Sequence, residues 1–347
     1  MVENTPSGDN SLLQEAIPQH KISWFERFLG PENYRIFTGL FKTSASILGF
    51  SLIAIFVLIA IFAPMIIAPP TPSNPYKIPR DGFSSQPQPM GSEWTLNTPP
   101  TVPGWYKLLT GKTEWTHIFG TSQGQYDVFY GIIWGVRTAF KTGLIIIAFS
   151  FLFGVIVGAV SAYYGGWVDM LMMRIVDIFM TMPFLLAALI LSAILTPKIG
   201  SNILGPIIAM IVFSWMGYAR IIRGDILSIK ERDYVMAARV IGVKDGRILF
   251  RHIVPNAIFP VMIMASLDIG NIVLTFAALS FLGIGAPVGY ADWGQILSFA
   301  RNWITELAKY WYIVVWPGLV LILFVMGWNL LGDALRDILD PRMRGSN

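Results

Sequence analysis

Six stretches of mostly apolar residues constrain this chain more than any other feature, because each approaches the ~20 residues that a helix needs to cross a bilayer. They run approximately from Ser44 to Ala68, Thr138 to Ala162, Ile175 to Leu195, Ile203 to Tyr218, Ile258 to Leu282 and Tyr312 to Leu331. A bilayer core offers no water to the backbone, so each stretch must satisfy its own N–H and C=O groups, which a helix does. Composition agrees: 54% of the 347 residues are hydrophobic and 13% are charged, against about 25% charged in soluble domains. Mean hydropathy is +0.59. The expectation is an all-α polytopic membrane protein with six transmembrane helices. The first stretch follows more than 40 mixed polar residues, so it reads as an uncleaved anchor and not as a secretory signal.

Several chemistries are excluded at once. With zero Cys there is no disulfide framework, thiolate metal site or Cys nucleophile, and the three His, His20, His117 and His252, are too few for a multi-His metal centre. Gly111-Lys112-Thr113 resembles the end of a phosphate-binding loop, but that pattern needs a Gly where Tyr106 stands. Neither HExxH nor Gly-x-Ser-x-Gly occurs. The expectation is a chain that hydrolyses nothing itself and carries no cofactor or metal.

The net charge of +4 reports orientation before it reports nucleic acid. If the stretches alternate in direction, most of the 25 Lys and Arg fall on one side, densely so from Arg220 to Arg251. The positive-inside bias puts that side, and both termini, in the cytoplasm of a cell membrane. Residues 1–43 then form a cytoplasmic tail and an interfacial elbow helix, in which Trp24, Phe25, Phe28 and Tyr34 alternate with charges. Residues 44–68 are the first span. Residues 69–137 form an external segment with ten of the 22 prolines between Pro69 and Pro103, expected to be irregular and to expose Trp94, Trp105 and Trp115 for contact with a partner, or to pack as a cap. Residues 138–335 are a core of five spans interrupted by a cytoplasmic loop at 219–256, and 336–347 are a tail.

That loop is the most informative segment. From Arg223 to Ile241 no Pro intervenes, and Ile226, Leu227, Tyr234, Ala237, Ala238 and Ile241 recur at helical spacing, so a continuous helix with one apolar face is expected. Gly242 follows as a helix stop, and a second short helix runs from about Lys244 to Ile253 before Pro255. An amphipathic loop resting on lipid headgroups satisfies the same pattern.

Met236-Ala237-Ala238, then Gly242, then His252-Ile253-Val254-Pro255 resemble the coupling loop, often called the EAA loop, of the permease subunits of ABC-type importers, with Met in place of the family's Glu. Tyr163-Tyr164-Gly165-Gly166-Trp167-Val168-Asp169, Tyr218-Ala219-Arg220, Glu231-Arg232-Asp233-Tyr234-Val235 and Leu279-Ser280-Phe281-Leu282-Gly283-Ile284-Gly285 are similar to the second permease of dipeptide, oligopeptide and nickel importers, in the same order. The resemblance implies a type I importer permease fold and a subunit that imports peptides, or by the same machinery oligosaccharides or nickel. It implies as partners a second homologous permease, two ABC ATPase subunits that bind the ATP and Mg, and an extracellular solute-binding protein, with lipid around the spans and no nucleic acid. It assigns ATPase coupling to Tyr234, Ala237, Ala238, Arg239, Gly242, Lys244, Asp245 and Arg247. An ion-coupled secondary transporter is the rival of another class.

Polar groups inside apolar spans face a partner or a cavity. Asp268 and Asn271 share one face of the fifth stretch and are candidates for the translocation path, with an interhelical hydrogen bond as the other reading of Asp268. Arg174 and Asp177 are expected to pair at i,i+3. Gly154 and Gly158 are spaced for close helix contact. Asn329 is expected to bond a neighbouring backbone group.

Overall fold

The structure, a computed structural model, describes residues 43–97, 99–200 and 203–339. The expected tail and elbow at 1–42 and the tail from 340 lie outside the described residues. The labelled helices are α1 (Ser44–Ile66), α2 (Gly104–Thr110), α3 (Val128–Tyr164), α4 (Gly166–Met180), α5 (Phe184–Ile199), α6 (Leu204–Ile229), α7 (Asp233–Val240), α8 (Asp245–Arg247), α9 (Val254–Ala257), α10 (Phe259–Phe281), α11 (Trp293–Phe299), α12 (Leu307–Tyr310) and α13 (Tyr312–Leu339). A π-helical turn, Ile248–Ile253, joins α8 to α9. No strand forms among the described residues.

Five helices, α1, α3, α6, α10 and α13, are long and apolar enough to cross a membrane. The sixth crossing is not the straight helix expected over Ile175–Leu195. In its place stand α4 and α5, apolar enough together for a sixth crossing but bent by 89° at Thr181, Met182 and Pro183, because Pro183 has no N–H to donate and disfavours helical geometry at Met182. Lipid is the natural surrounding for this surface, since Ile61, Met65, Phe149, Leu152, Ile178 and Ile190 all point outward.

Close backbone approach holds the bundle together. A Cβ on Gly154 would lie 2.5 Å from the Trp215 carbonyl oxygen, and one on Gly158 would strike the Ala219 carbonyl, so the two glycines let α3 settle onto α6 as expected. Helix α10 is wedged between α3 and α13, with Gly270 against Val325.

Two spans are longer than their apolar runs. Helix α3 starts at Asp127, whose Oδ1 accepts from the Tyr130 N–H at 2.7 Å, and its first turns are buried through Ile132, Ile133, Trp134 and Val136. The sequence hid this start because Arg137 and Lys141 interrupt the apolar window. They lie over the Trp134 and Tyr76 rings, Arg137 half-buried and Lys141 exposed, and the cation–π contact holds each cation against its ring. Helix α13 likewise continues past 335 to Leu339.

The proline-rich segment packs as a cap and does not expose its tryptophans. Trp115 is fully buried against Tyr106 and Phe129, Trp105 donates to the Ile66 carbonyl at 2.8 Å, and Trp94 lies on His117. Trp115 thus fills the interior that proline-rich backbone cannot fill with helices, and the half-buried Trp94 and Trp105 pack at its edge, as the cap expectation has it. At its centre His117 Nδ1 lies 2.8 Å from Asp127, and Nε2 lies 3.5 Å from Asp81. Burial pushes the Asp81 carboxyl up, but the N–H groups of Leu96 and Thr95 and the side chains of Gln88 and Thr95 donate to it and hold it below the usual carboxylate range.

Candidate functional site

The continuous helix expected from Arg223 to Ile241 is two helices. Helix α6 runs out to Ile229, Lys230 turns its Nζ back to the Ala162 carbonyl at 3.1 Å, and Arg232 is extended before α7 begins. No Pro or Gly marks this break. Its signal is Asp233, an acid in the first turn of α7 where the helix dipole favours it.

Helix α7 ends as expected. Gly242 takes φ +79°, the Gly242 N–H bonds the Arg239 carbonyl at 3.0 Å, and the Val243 N–H reaches back to the Ala238 carbonyl at 3.1 Å. This left-handed stop closes α7 and aims the chain into α8.

The inward face of this unit is packed and the outward face is bare. Val235, Ile248, Leu249 and Ile253 are buried with Ile226 and Ile229 of α6. Outward lie Tyr234, Met236, Val240 at 85% exposure and Ile241 at 78%. Ala237, Gly242, Lys244 and Arg247 are exposed, and Ala238 is half-buried. Arg239 and Asp245 do more than decorate the surface: Tyr163, at the end of α3, donates to Asp245 Oδ1 at 2.5 Å, and the Arg239 guanidinium lies 5.4 Å over the same ring. Both therefore fasten the short helices to α3.

Ion pairs fix α6 beneath this platform. Arg223 grips Asp169 with two hydrogen bonds of 2.6 Å, and Ser161 donates to the same carboxylate. Arg220 pairs with Asp177 at 2.5 Å. The expected Arg174–Asp177 pair is thus replaced by one between α6 and α4, because the bend at Pro183 lays α4 alongside α6. A two-pronged guanidinium contact sets angle as well as distance, so α3, α4, α6 and α7 meet as one braced corner. Sequence reasoning missed these partners, since Asp169 and Tyr163 stand in a motif far from Arg223 and Asp245.

The intramembrane candidates Asp268 and Asn271 lie side by side, in side-chain hydrogen-bond contact. Asp268 accepts from the Tyr218 hydroxyl at 2.9 Å, the interhelical bond that was the second reading of this residue. Asn271, one turn on, is exposed. Asn329 is half-buried on α13. Asp225 of α6, not singled out by sequence, has a buried Oδ2 without a hydrogen-bond partner among the described residues.

A family model described as binding-protein-dependent transport system inner membrane component matches residues 150–345, from the middle of α3 through α13. The chain belongs to this family. It is a multi-pass membrane component of a transport system, and the matched region contains the whole α7–α8 platform. The dipeptide transport system permease protein of Alkalihalophilus pseudofirmus is 34% identical over 308 residues, 89% of each chain. The oligopeptide transport system permease protein of Bacillus subtilis is 37% identical over 228 residues, 66% of this chain and 72% of that one. Among solved structures, a chain of the MetNI methionine ABC transporter in inward facing conformations aligns with a TM-score of 0.48 at 19% identity, over 61% of this chain and 97% of that one.

Proposed function

We propose that this chain is one of two permease subunits of an ATP-driven importer that takes in di- and oligopeptides. It pairs with a second homologous permease, two ABC ATPase subunits dock on the α7–α8 side, and an extracellular solute-binding protein delivers the substrate. The relatives named for dipeptide and oligopeptide transport support the substrate class. The observation that carries the mechanism is the α7–α8 platform, braced to α3 and α6 on one side and presenting Tyr234, Met236, Val240 and Ile241 on the other. Exposed apolar surface of that kind marks a protein interface.

The mechanism follows from stiffness. ATP and Mg sit in the partner ATPases, and this chain supplies no cofactor and hydrolyses nothing. When the ATPases close, force enters through Tyr234, Ala237 and Ala238 on α7, with Lys244 and Arg247 at its rim. It passes through Asp245 and Arg239 to Tyr163 on α3, and through the Arg223–Asp169 pair to α4 and α6. Helices that cannot bend at the corner must tilt, which closes one end of the path and opens the other. The positive-inside bias puts the platform and both termini in the cytoplasm and the cap outside.

Asp268 and Asn271 belong to the path in this reading, with Tyr218 holding Asp268 in place. Asp268→Asn then changes peptide uptake per ATP hydrolysed while leaving assembly intact. Failure of that variant to assemble makes Asp268 a structural residue only.

The reading is tested by reconstituting the assembled complex in vesicles and measuring peptide uptake. Uptake is expected to require ATP and to survive collapse of the proton gradient. Uptake that survives ATP depletion and collapses with the gradient makes the chain an ion-coupled transporter instead.

A further inference from the structure

A cavity of about 860 Å³ opens at the cap end of the bundle, between the end of α5, the connector after α10, α11 with the turns that follow it, and the cap. Its volume falls within the range of sites that hold small organic ligands, about 300–1,000 Å³. Arg80 and Arg301 line it, and no Asp or Glu does.

Arg80 is held rigidly by neutral groups. Its Nε donates to the Gly82 and Gly124 carbonyls at 2.9 and 3.1 Å, and Nη1 approaches the Tyr126 hydroxyl at 3.4 Å. Its guanidinium sits over the Phe83 ring at 4.2 Å and the Tyr126 ring at 4.7 Å. Arg301 donates from Nε to the Ser298 carbonyl at 3.2 Å and lies over Phe281. Among the described residues neither arginine has an ion-pair partner. A guanidinium carries five N–H donors, and those at Nε are used while most at the terminal nitrogens are not. Arg80, fixed by these contacts, and the exposed Arg301, both with neutral neighbours and both lining a concave and partly apolar space, make a site suited to an anion. Asn302 donates to Gln123 Oε1 at 2.7 Å across this mouth, so amide groups that match a peptide backbone stand beside the cations.

We propose that this cavity receives an arriving peptide by its C-terminal carboxylate, which every unmodified peptide carries whatever its sequence, and that Arg80 and Arg301 hold that group while the apolar wall accepts side chains. The inference rests on the peptide-import reading. An acidic side chain of a partner protein, or an anionic lipid headgroup, presents the same charge and is separated from it by the test.

Two arms test it on the assembled complex. In the first, vesicles take up two peptides that differ only in ending as a free acid or an amide, at saturating binding protein. Arg301→Gln is expected to lower uptake of the acid about tenfold and leave the amide unchanged. An equal loss for both peptides assigns Arg301 to a partner's acidic group, and no loss for either removes it from the site; each result overturns the proposal. The second arm does not depend on transport. This chain has zero Cys, so Val288→Cys, exposed on the cavity wall, takes a fluorescent label, in a complex held in discs of neutral phosphatidylcholine. N-acetylglycine is expected to shift the signal saturably, N-acetylglycinamide is not, and Arg301→Gln abolishes the response. Should the wild type take up neither peptide, the peptide reading fails while a carboxylate-dependent signal still upholds the site. A flat signal with both probes overturns it.

Discussion

Asp292 is the N-cap of α11, its Oδ2 accepting from the Gln295 N–H at 3.0 Å. Burial pushes its carboxyl up to about 6, more than the Gln295 and Gly294 N–H groups and Ser280 can pull it back. The folded state therefore binds more protons than the unfolded state from the ordinary carboxylate value, about 4, up to about 6, and stability falls as pH rises through that window. Asn caps a helix about as well as Asp and carries no charge to bury. Asp292→Asn is expected to raise stability in detergent at pH 7.5 by on the order of 2–3 kcal/mol, read as a higher thermal midpoint, and to raise it much less at pH 4.5. A pH-independent shift contradicts this. At the turn after α7, φ +79° at Gly242 costs a residue with a Cβ roughly 1–2 kcal/mol. Gly242→Val is expected to reduce peptide-stimulated ATP hydrolysis more than Met236→Glu, which places the Glu of the resembled coupling-loop pattern on an already exposed site. The opposite ranking means that the turn does not set the platform.

At the scale of elements, apolar length made the spans legible, and it failed where length and burial part company. The first turns of α3 are buried in protein, not lipid, and the half-buried Arg137 and exposed Lys141 that follow them hide the helix start. The bend between α4 and α5 hinges on Pro183, visible in the sequence, but the 89° angle, and the ion pairs between α4 and α6 that go with it, are encoded by no local pattern. Gly242 was legible because one residue type serves one backbone conformation. The break at Lys230 was not, because polar residues of many kinds serve it equally. The α3–α6 contact was readable from Gly154 and Gly158, and it is open to test. A Cβ at Gly158 meets the Ala219 backbone, whereas one at Gly224 on α6 meets nothing within 4 Å. Gly158→Ala is expected to lower the yield of folded protein and its thermal midpoint, and Gly224→Ala to raise the midpoint, as helix propensity favours Ala over Gly by about 1 kcal/mol. Equal effects place the glycines outside the packing.

For the whole molecule, the cap and the platform stand at opposite ends of helices some 35 Å long, as 1.5 Å per residue over the 23 residues of α10 requires. Communication between them has to pass through rigid helices that tilt as units. The side chains that couple the platform to the bundle, Tyr163, Asp169, Arg223 and Asp245, are distinct from those that face a partner. This separation lets binding and transmission be broken independently, with the exposed face of α7 as the proposed seat of the ATPases. The direct measurement is copurification of the ATPase subunits with Val240→Asp plus Ile241→Asp, both of whose side chains are open to solvent in the chain alone. The complex is expected to lose its ATPases while the variant still inserts and retains the partner permease; ATPases retained at the wild-type ratio contradict the assignment.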